Sequence, residues 1–483
     1  MFANRAALMK SSKPFLTSTR LNRSMYPALA RAYSSAAEDD VLFSSNRAVR
    51  TIQLNRPQKL NSLNTSMVDK ITPRLIEWAR SDLTRTVVIK GTGNKAFCAG
   101  GDVAALAKAI SDNAETGPAV ASKFFKDEYT LNHLIATYTK PYVALLNGIT
   151  MGGGVGLSVH APFRVATEKT LFAMPETDIG FFPDVGGSFF LPRLDGQIGT
   201  YLALTSDRLK GYDVVAAGIA THYVPEAVLP ELEARLAEII SDNKIIPTDP
   251  FNLVNNVLEE FATDAPEGYE FSLSGKKREA IDSIFGQESV GDIISALEAD
   301  GSEWALKTKD TILARSPVSV KVTFDALKRG KDLTITDALS KEYQLAKKFM
   351  SGGDFVEGVT AKLVNKPPTA PKWNPATLGE VTASSVSEFL NSADAADALK
   401  PVTEDNFVDY PHKFGLPTEK DIEDYITGND GSDREFKVTK EEVLDHFQYL
   451  TRSKLGVTRK IEEVLARKTT PDATDSTLLD WKY

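Results

Sequence analysis

The chain has 483 residues, 42% hydrophobic and 25% charged, with a formal net charge of −9. This is ordinary globular composition, with enough apolar surface for one large core and a smaller satellite. No apolar run approaches the roughly 18 residues of a membrane-spanning helix, so a soluble protein is expected.

Residues 1–33 read apart from the rest. Arg5, Lys10, Lys13, Arg20, Arg23 and Arg31 stand among Ser, Thr and Ala, and no acid occurs before Glu38. A basic, hydroxyl-rich, acid-free leader predicts a mitochondrial presequence, cleaved after Tyr33, and a protein of the mitochondrial matrix. Losing those six basic residues takes the charge from −9 to −15. So acidic a chain has no overall field for a phosphate backbone, and any anionic ligand must be held by local groups. Cys98 is the only cysteine, which excludes a disulfide within the chain and a thiolate metal cluster. His133, His160, His222, His412 and His446 lack the paired spacing of a zinc site, so chemistry without a metal or a resident cofactor is expected.

In chain order, residues 49–54 read as a strand, followed by a turn at Arg56-Pro57 and a helix over 65–80. Residues 86–90 form a β-branched, apolar strand that Gly91-Thr92-Gly93 breaks. Another strand over 141–146 ends at Asn147-Gly148, ahead of Gly152-Gly153-Gly154, and 163–166 and 171–173 read as two more. Strand and helix in alternation predict an α/β layered fold. From Asp195 the pattern turns helical: 200–205, 212–218, 229–241, 250–261 and 326–351. A proline-rich linker, Lys366-Pro367-Pro368-Thr369-Ala370-Pro371, then opens a C-terminal extension. The extension closes with a helix capped by Thr439-x-x-Glu442 and a basic helical segment over 455–468. Domains are thus expected at 1–33 (presequence), 41–365 (main domain) and 366–483 (linker and helical extension).

Three segments carry chemistry. Ala96-Phe97-Cys98-Ala99-Gly100-Gly101-Asp102 places small residues at a strand end, where backbone amides reach a ligand unobstructed. Gly148 to Ser158 is a glycine turn entering a helix, whose N-terminus offers free N–H donors. Two such turns face to face make an oxyanion hole. In Phe172–Gly187 (FAMPETDIGFFPDVGG), Glu176 and Asp184 stand in apolar surroundings, where burial costs free energy unless the carboxylates have partners or a task.

Together, and in this order, these segments resemble the crotonase (enoyl-CoA hydratase/isomerase) superfamily. Arg56-Pro57-x-x-Leu60-Asn61-Ser62-Leu63 is similar to that family's coenzyme A-binding turn. The resemblance implies a ββα spiral core, an acyl-CoA thioester as substrate, and an oxyanion hole at the amides of Ala99 and Gly153. Hydratases carry a second glutamate where this chain has Gly156, so hydratase activity is not expected. A single carboxylate beside an oxyanion hole suits acyl transfer to water.

Residues 150–160, 172–185 and 190–194 resemble the 3-hydroxyisobutyryl-CoA hydrolase branch specifically, and the resemblance runs from about 49 to 373. It implies hydrolysis of that thioester in valine breakdown, with Glu128, Gly153, Glu176 and Asp184 touching substrate. Glu176 either attacks the thioester or deprotonates water. Asp184 is expected to receive the 3-hydroxyl, while Glu128 reads equally as a solvated helix carboxylate and a pocket residue. His160 and Cys98 read as packing residues, Asp102 as a helix cap, and Lys59 equally as a phosphate contact and an exposed lysine. The length of the extension resembles fungal proteins of the mitochondrial small ribosomal subunit. That partner is the alternative role, with Arg452, Lys454, Arg459, Lys460, Arg467 and Lys468 as its candidate contact, although these residues read more readily as a solvated helix face. The oligomeric state is not legible in the sequence.

Overall fold

The computed structural model describes residues 39–241, 249–392, 394–432 and 434–482. The presequence expected at 1–33 lies outside the described residues.

Strands β1 (Val41–Asn46), β2 (Val49–Leu54), β3 (Thr86–Gly91), β5 (Tyr142–Leu146), β7 (Phe163–Ala166) and β10 (His222–Tyr223) form a six-stranded sheet in that order. It is parallel except for the β1–β2 hairpin. Side chains alternate between its faces. Val87, Ile89, Ala144 and Leu146 enter the main core. Val88, Val143, Leu145 and Val165 enter a second cluster with residues of the helices Leu229–Ile240 and Pro250–Phe261. Both faces are covered, which is why these strands read as continuous apolar runs.

A smaller sheet holds β4 (Ala96–Ala99), β6 (Ile149–Met151), β8 (Leu171–Ala173) and β9 (Leu209–Lys210). Successive strands step from the large sheet to the small one: β3 to β4, β5 to β6, β7 to β8. The first pair is followed by the helices Val103–Asp112 and Gly117–Ala136, the second by the short glycine helix Gly153–Gly156. This repeated step brings the ends of β4, β6 and β8 side by side, and all three motifs of the sequence lie there.

The single helix expected over 326–351 is two helices, Pro317–Gly330 and Ile335–Ser351. A Cβ on Gly330 would lie 1.8 Å from the Ser188 carbonyl oxygen, so only glycine fits where the first helix ends. Thr334 then caps the second helix through the amide of Asp337.

Beyond the linker, Val381, Val386 and Leu399 join the main core. The helices Glu419–Thr427, Lys440–Leu450 and Val457–Lys468 close a small core of their own around Ile422, Val443, Phe447, Ile461 and Val464. Thr439 and Glu442 form the capping box expected from sequence. The basic segment differs from expectation. Lys454 pairs with Glu259 at 2.5 Å, Lys460 with Asp195, and Arg467 with Glu419 at 2.8 Å. These three cations face inward: Lys454 and Lys460 fasten the extension to the main domain, and Arg467 holds Glu419, which pairs across with Arg278 at 3.0 Å, while Arg452 and Arg459 stay exposed. No helix among the described residues is long and apolar enough to cross a membrane.

Candidate active site

The site is built from the Arg56–Leu63 turn outward. Leu60 and Asn61 both take positive φ, +50° and +56°. Asn61 accepts from the Arg56 amide at 3.0 Å and donates to the Thr92 and Ala96 carbonyls, so its side chain locks the turn that its backbone makes. The turn in turn clamps the end of β4: Ala99 N–H donates to Leu60, Leu63 to Gly100, and Asp102 to Leu63, at 2.8–3.0 Å. Arg56 adds an ion pair to Asp102 at 2.7 Å. Asp102 stands at the start of the next helix but makes no cap bond; its carboxylate serves this pair instead.

One amide of that segment is left over. Gly100, at φ +107°, reverses the backbone direction, and the amide of Gly101 has no partner among the described residues. A Cβ on Gly153 would lie 3.3 Å from this Gly101 nitrogen and 2.6 Å from Glu128 Oε1. Glycine is therefore required at 153, and its amide, at the N-terminus of the glycine helix, stands next to that of Gly101. Gly152 takes φ +43°, and a Cβ there would reach Glu176 Oε1 at 3.0 Å.

Three carboxylates surround the two amides. Glu128, Glu176 and Asp184 are 2%, 6% and 4% exposed, and no Lys or Arg pairs with any of them among the described residues. Glu128 Oε1 and Glu176 Oε2 are buried without a hydrogen-bond partner. Burial, then the charge of Asp184, raises both far above the usual carboxylate range. Burial also pushes Asp184 up to about 7, against the pull of the Tyr129 hydroxyl, which donates to Asp184 Oδ2 at 2.6 Å. Uncompensated buried carboxylates beside free amide donors are an arrangement for moving protons or attacking a carbonyl, and a poor one for holding a fold together.

An enoyl-CoA hydratase/isomerase family model matches residues 49–390. The chain belongs to this family. It is 47% identical to the small ribosomal subunit protein mS47 of Neurospora crassa, over 89% of this chain and 85% of that one. It is 46% identical to the mitochondrial 3-hydroxyisobutyryl-CoA hydrolase of Danio rerio, over 75% of this chain and 92% of that one. Among solved structures, a carnitinyl-CoA dehydratase from Mycobacterium thermoresistibile superposes with a TM-score of 0.67 at 36% identity, covering 76% of this chain and all of the other. The crotonase architecture expected from the motifs is the one observed.

The structure gathers Glu128, Gly153, Glu176 and Asp184 in one place. It removes Ala99 from the oxyanion pair, because its N–H is already donated to Leu60 at 3.0 Å; Gly101 supplies the free amide instead. The signal was Gly100, where a direction change is cheap, so the donor had to be sought after it. Lys59 is exposed at the end of a short turn. Cys98 is fully buried and its thiol is pushed up to about 12, that of an inert packing residue.

Two further residues join the family site from sequence positions that carried no motif. Glu342 is fully buried and accepts from the amides of Gly186 and Ser188 and from the Ser188 hydroxyl, at 2.5–2.8 Å. It holds the turn that follows Asp184. Asn132, one helical turn beyond Glu128, is fully buried with neither amide atom partnered. A Cβ on Gly156 would lie 2.7 Å from Val185 Cβ and 2.8 Å from Asn132 Nδ2. Val185 and Asn132 thus occupy the room that a glutamate at 156 would need.

Proposed function

We propose that this protein hydrolyses 3-hydroxyisobutyryl-CoA to 3-hydroxyisobutyrate and coenzyme A in the mitochondrial matrix, with no metal or resident cofactor. The observation that carries the reading is the trio of unpaired buried carboxylates set against the Gly101 and Gly153 amides. Those amides polarise the thioester carbonyl and take up the charge that develops on its oxygen; one such donor is worth about 3–4 kcal/mol of transition-state stabilisation. Glu176 acts on the carbonyl carbon, by direct attack or through a water molecule it deprotonates. The carbon–sulfur bond breaks and coenzyme A leaves as its thiol. Asp184 receives the substrate's 3-hydroxyl, and Glu128 lines the same chamber. Gly156 and its filled surroundings set the chain apart from hydratases, which need a second carboxylate on the water.

The test is release of free coenzyme A from a thioester panel, with and without chelator. The expected order is 3-hydroxyisobutyryl-CoA first, 3-hydroxypropionyl-CoA next and isobutyryl-CoA last, unchanged by chelation. Crotonyl-CoA should not be hydrated. Hydration of crotonyl-CoA at a rate comparable with thioester cleavage would overturn the assignment. A single turnover in H₂¹⁸O distinguishes the two routes for Glu176, since collapse of an anhydride by water attack at its Glu176 carbonyl leaves label in the enzyme.

One observation favours a second role beside the first. The match to the Neurospora ribosomal protein spans 89% of the chain, more than residues 1–365 contain, so it must enter the extension. Association with the mitochondrial small ribosomal subunit is tested by sedimentation of mitochondrial extract. Co-migration that survives a salt wash supports it; recovery only at the top of the gradient refutes it.

A further inference from the structure

We propose that Tyr410, in the extension, is a positioning residue for the reaction centre and acts through His160 on the turn that carries Asp184. The family model ends at residue 390, so the extension reaches into a site otherwise built by the family domain. Three observations converge.

The first is the turn itself. Val185, a β-branched residue, takes φ +52°, a conformation such side chains adopt only when their surroundings impose it. Gly186 follows at φ +86°, with its amide donated to Glu342 at 2.7 Å. A further restraint is on the Val185 carbonyl, which lies 2.8 Å from His160 Nε2.

The second is the tautomer. A carbonyl oxygen only accepts, so Nε2 must carry the proton and Nδ1 must be bare. The Tyr410 hydroxyl lies 2.8 Å from Nδ1 and donates to it. His160 is buried and its protonated form is disfavoured, so the neutral ring makes one bond at each nitrogen, and Val185 and Tyr410 together fix its orientation. Without the Tyr410 hydroxyl, Nδ1 is a buried acceptor with nothing to accept, and the ring that grips Val185 is held at one end only.

The third is that Tyr410 is itself fixed. Its ring meets Phe189 edge-on at 5.3 Å and stacks on His160 at 6.1 Å. Its segment is tied down by Phe407 O, which accepts from the Ile335 amide at 3.0 Å, and by Val408 O, which accepts from Arg193 at 3.2 Å. The relay therefore runs from an anchored part of the extension through one imidazole to the peptide beside Asp184.

The activity readout rests on the thioesterase reading above; the spectroscopic one does not. Tyr410→Phe keeps the ring and removes the donor. It should lower kcat about ten-fold with KM nearly unchanged, since small misplacements at a reacting centre are costly. Long-range ¹⁵N–¹H spectra, with His160→Gln identifying the resonance, should show the Nε2–H form in both proteins, with the Nδ1 resonance moved downfield in the variant as it loses the Tyr410 hydroxyl. Gln at 160 leaves no imidazole for Tyr410 to hold. Tyr410→Phe should therefore cost nothing further in a His160→Gln background, which is the non-additivity expected of one connected unit. An unmoved Nδ1 resonance in Tyr410→Phe overturns the proposal, as does an equal loss of kcat in both backgrounds. If the parent enzyme releases no coenzyme A, the thioesterase reading fails, and the spectra still decide the relay.

Discussion

Asp184 and Asp195 are close neighbours in the chain and both side chains are largely withdrawn from solvent, yet their carboxyl groups shift in opposite directions. Burial pushes Asp184 up to about 7, and only Tyr129 opposes it with a side-chain hydrogen bond. Burial pushes Asp195 up as well, but Lys460 and the amide of Glu419 outweigh it and hold the group below the usual carboxylate range. The contrast extends to the neighbours of each. Glu128 and Glu176 share Asp184's lack of cations, and both are raised. Glu419, between Arg278 at 3.0 Å and Arg467 at 2.8 Å, and Glu259, held near 2 beside His222 and Lys454, are lowered. Carboxylates that burial alone would raise thus serve two ends. Where cations answer the charge, the cluster fastens the extension to the main domain. Where none does, the desolvation cost stands, and the cluster is suited to chemistry.

The largest expected effect breaks the uncompensated half. Glu176→Gln keeps the shape but can neither attack nor take a proton, so kcat should fall about 10³-fold or more while substrate binding persists. Single-turnover rates and equilibrium binding measure the two separately. A loss in binding alone would mean that Glu176 positions substrate and performs no chemistry.

The next breaks the compensated half. Arg467→Met leaves Glu419 buried with less of its positive field, and removing one partner of a buried pair costs about 3–5 kcal/mol. Denaturant unfolding should show that loss, while kcat per folded molecule at low temperature stays near the parent value. A variant as stable as the parent would make the ion-pair cluster dispensable to the fold.

This division also explains what the sequence disclosed. Strands over 49–54, 163–166 and 171–173 were legible because apolar runs and glycine breaks are local signals. Glu176 and Asp184 were legible because carboxylates amid Phe, Pro and Gly are conspicuous without any knowledge of contacts. Glu342 and Asn132 were not, since each lies on a helix whose pattern looks ordinary, and their burial comes from segments distant in sequence. The basic residues in and before the last helix are illegible for the same reason. Lys454, Lys460 and Arg467 look like a solvated face until Glu259, Asp195 and Glu419 arrive from elsewhere in the chain. Sequence does not separate Ala99 from Gly101, because only the fold shows which N–H is already spent on Leu60.

A smaller effect sharpens the assignment within the uncompensated cluster. If Asp184 reads the 3-hydroxyl, Asp184→Asn should narrow the preference for 3-hydroxyisobutyryl- over isobutyryl-CoA. One buried hydrogen bond to a charged acceptor is worth about 1–3 kcal/mol, or roughly 5- to 150-fold in kcat/KM. An unchanged ratio with kcat collapsed as far as in Glu176→Gln would place both carboxylates in one catalytic unit.

The smallest expected effect uses pH to separate the two kinds of carboxylate. Asp184 is raised to about 7, so in the folded protein it gains a proton as pH falls through neutrality. A cluster that works ionised should therefore lose kcat/KM on the acid side of about pH 7, with an apparent midpoint belonging to Glu128, Glu176 and Asp184 together. The Tyr129 hydroxyl, itself raised far above 10 by burial, stays protonated throughout and favours the ionised form of Asp184 by donating to it. Tyr129→Phe removes that donor, so Asp184 should hold its proton to higher pH and the acid limb should move upward. A shift of about one unit corresponds to about 1.4 kcal/mol. The sign makes the test specific: variant and parent should converge in alkaline buffer and diverge as pH falls. Arg467→Met supplies the contrast, because it acts on carboxylates held ionised by cations and should leave the limb in place. A uniform loss of rate at every pH in Tyr129→Phe would mean that the tyrosine only packs. An equal shift in Arg467→Met would mean that the two clusters titrate as one, and the distinction between them would fall.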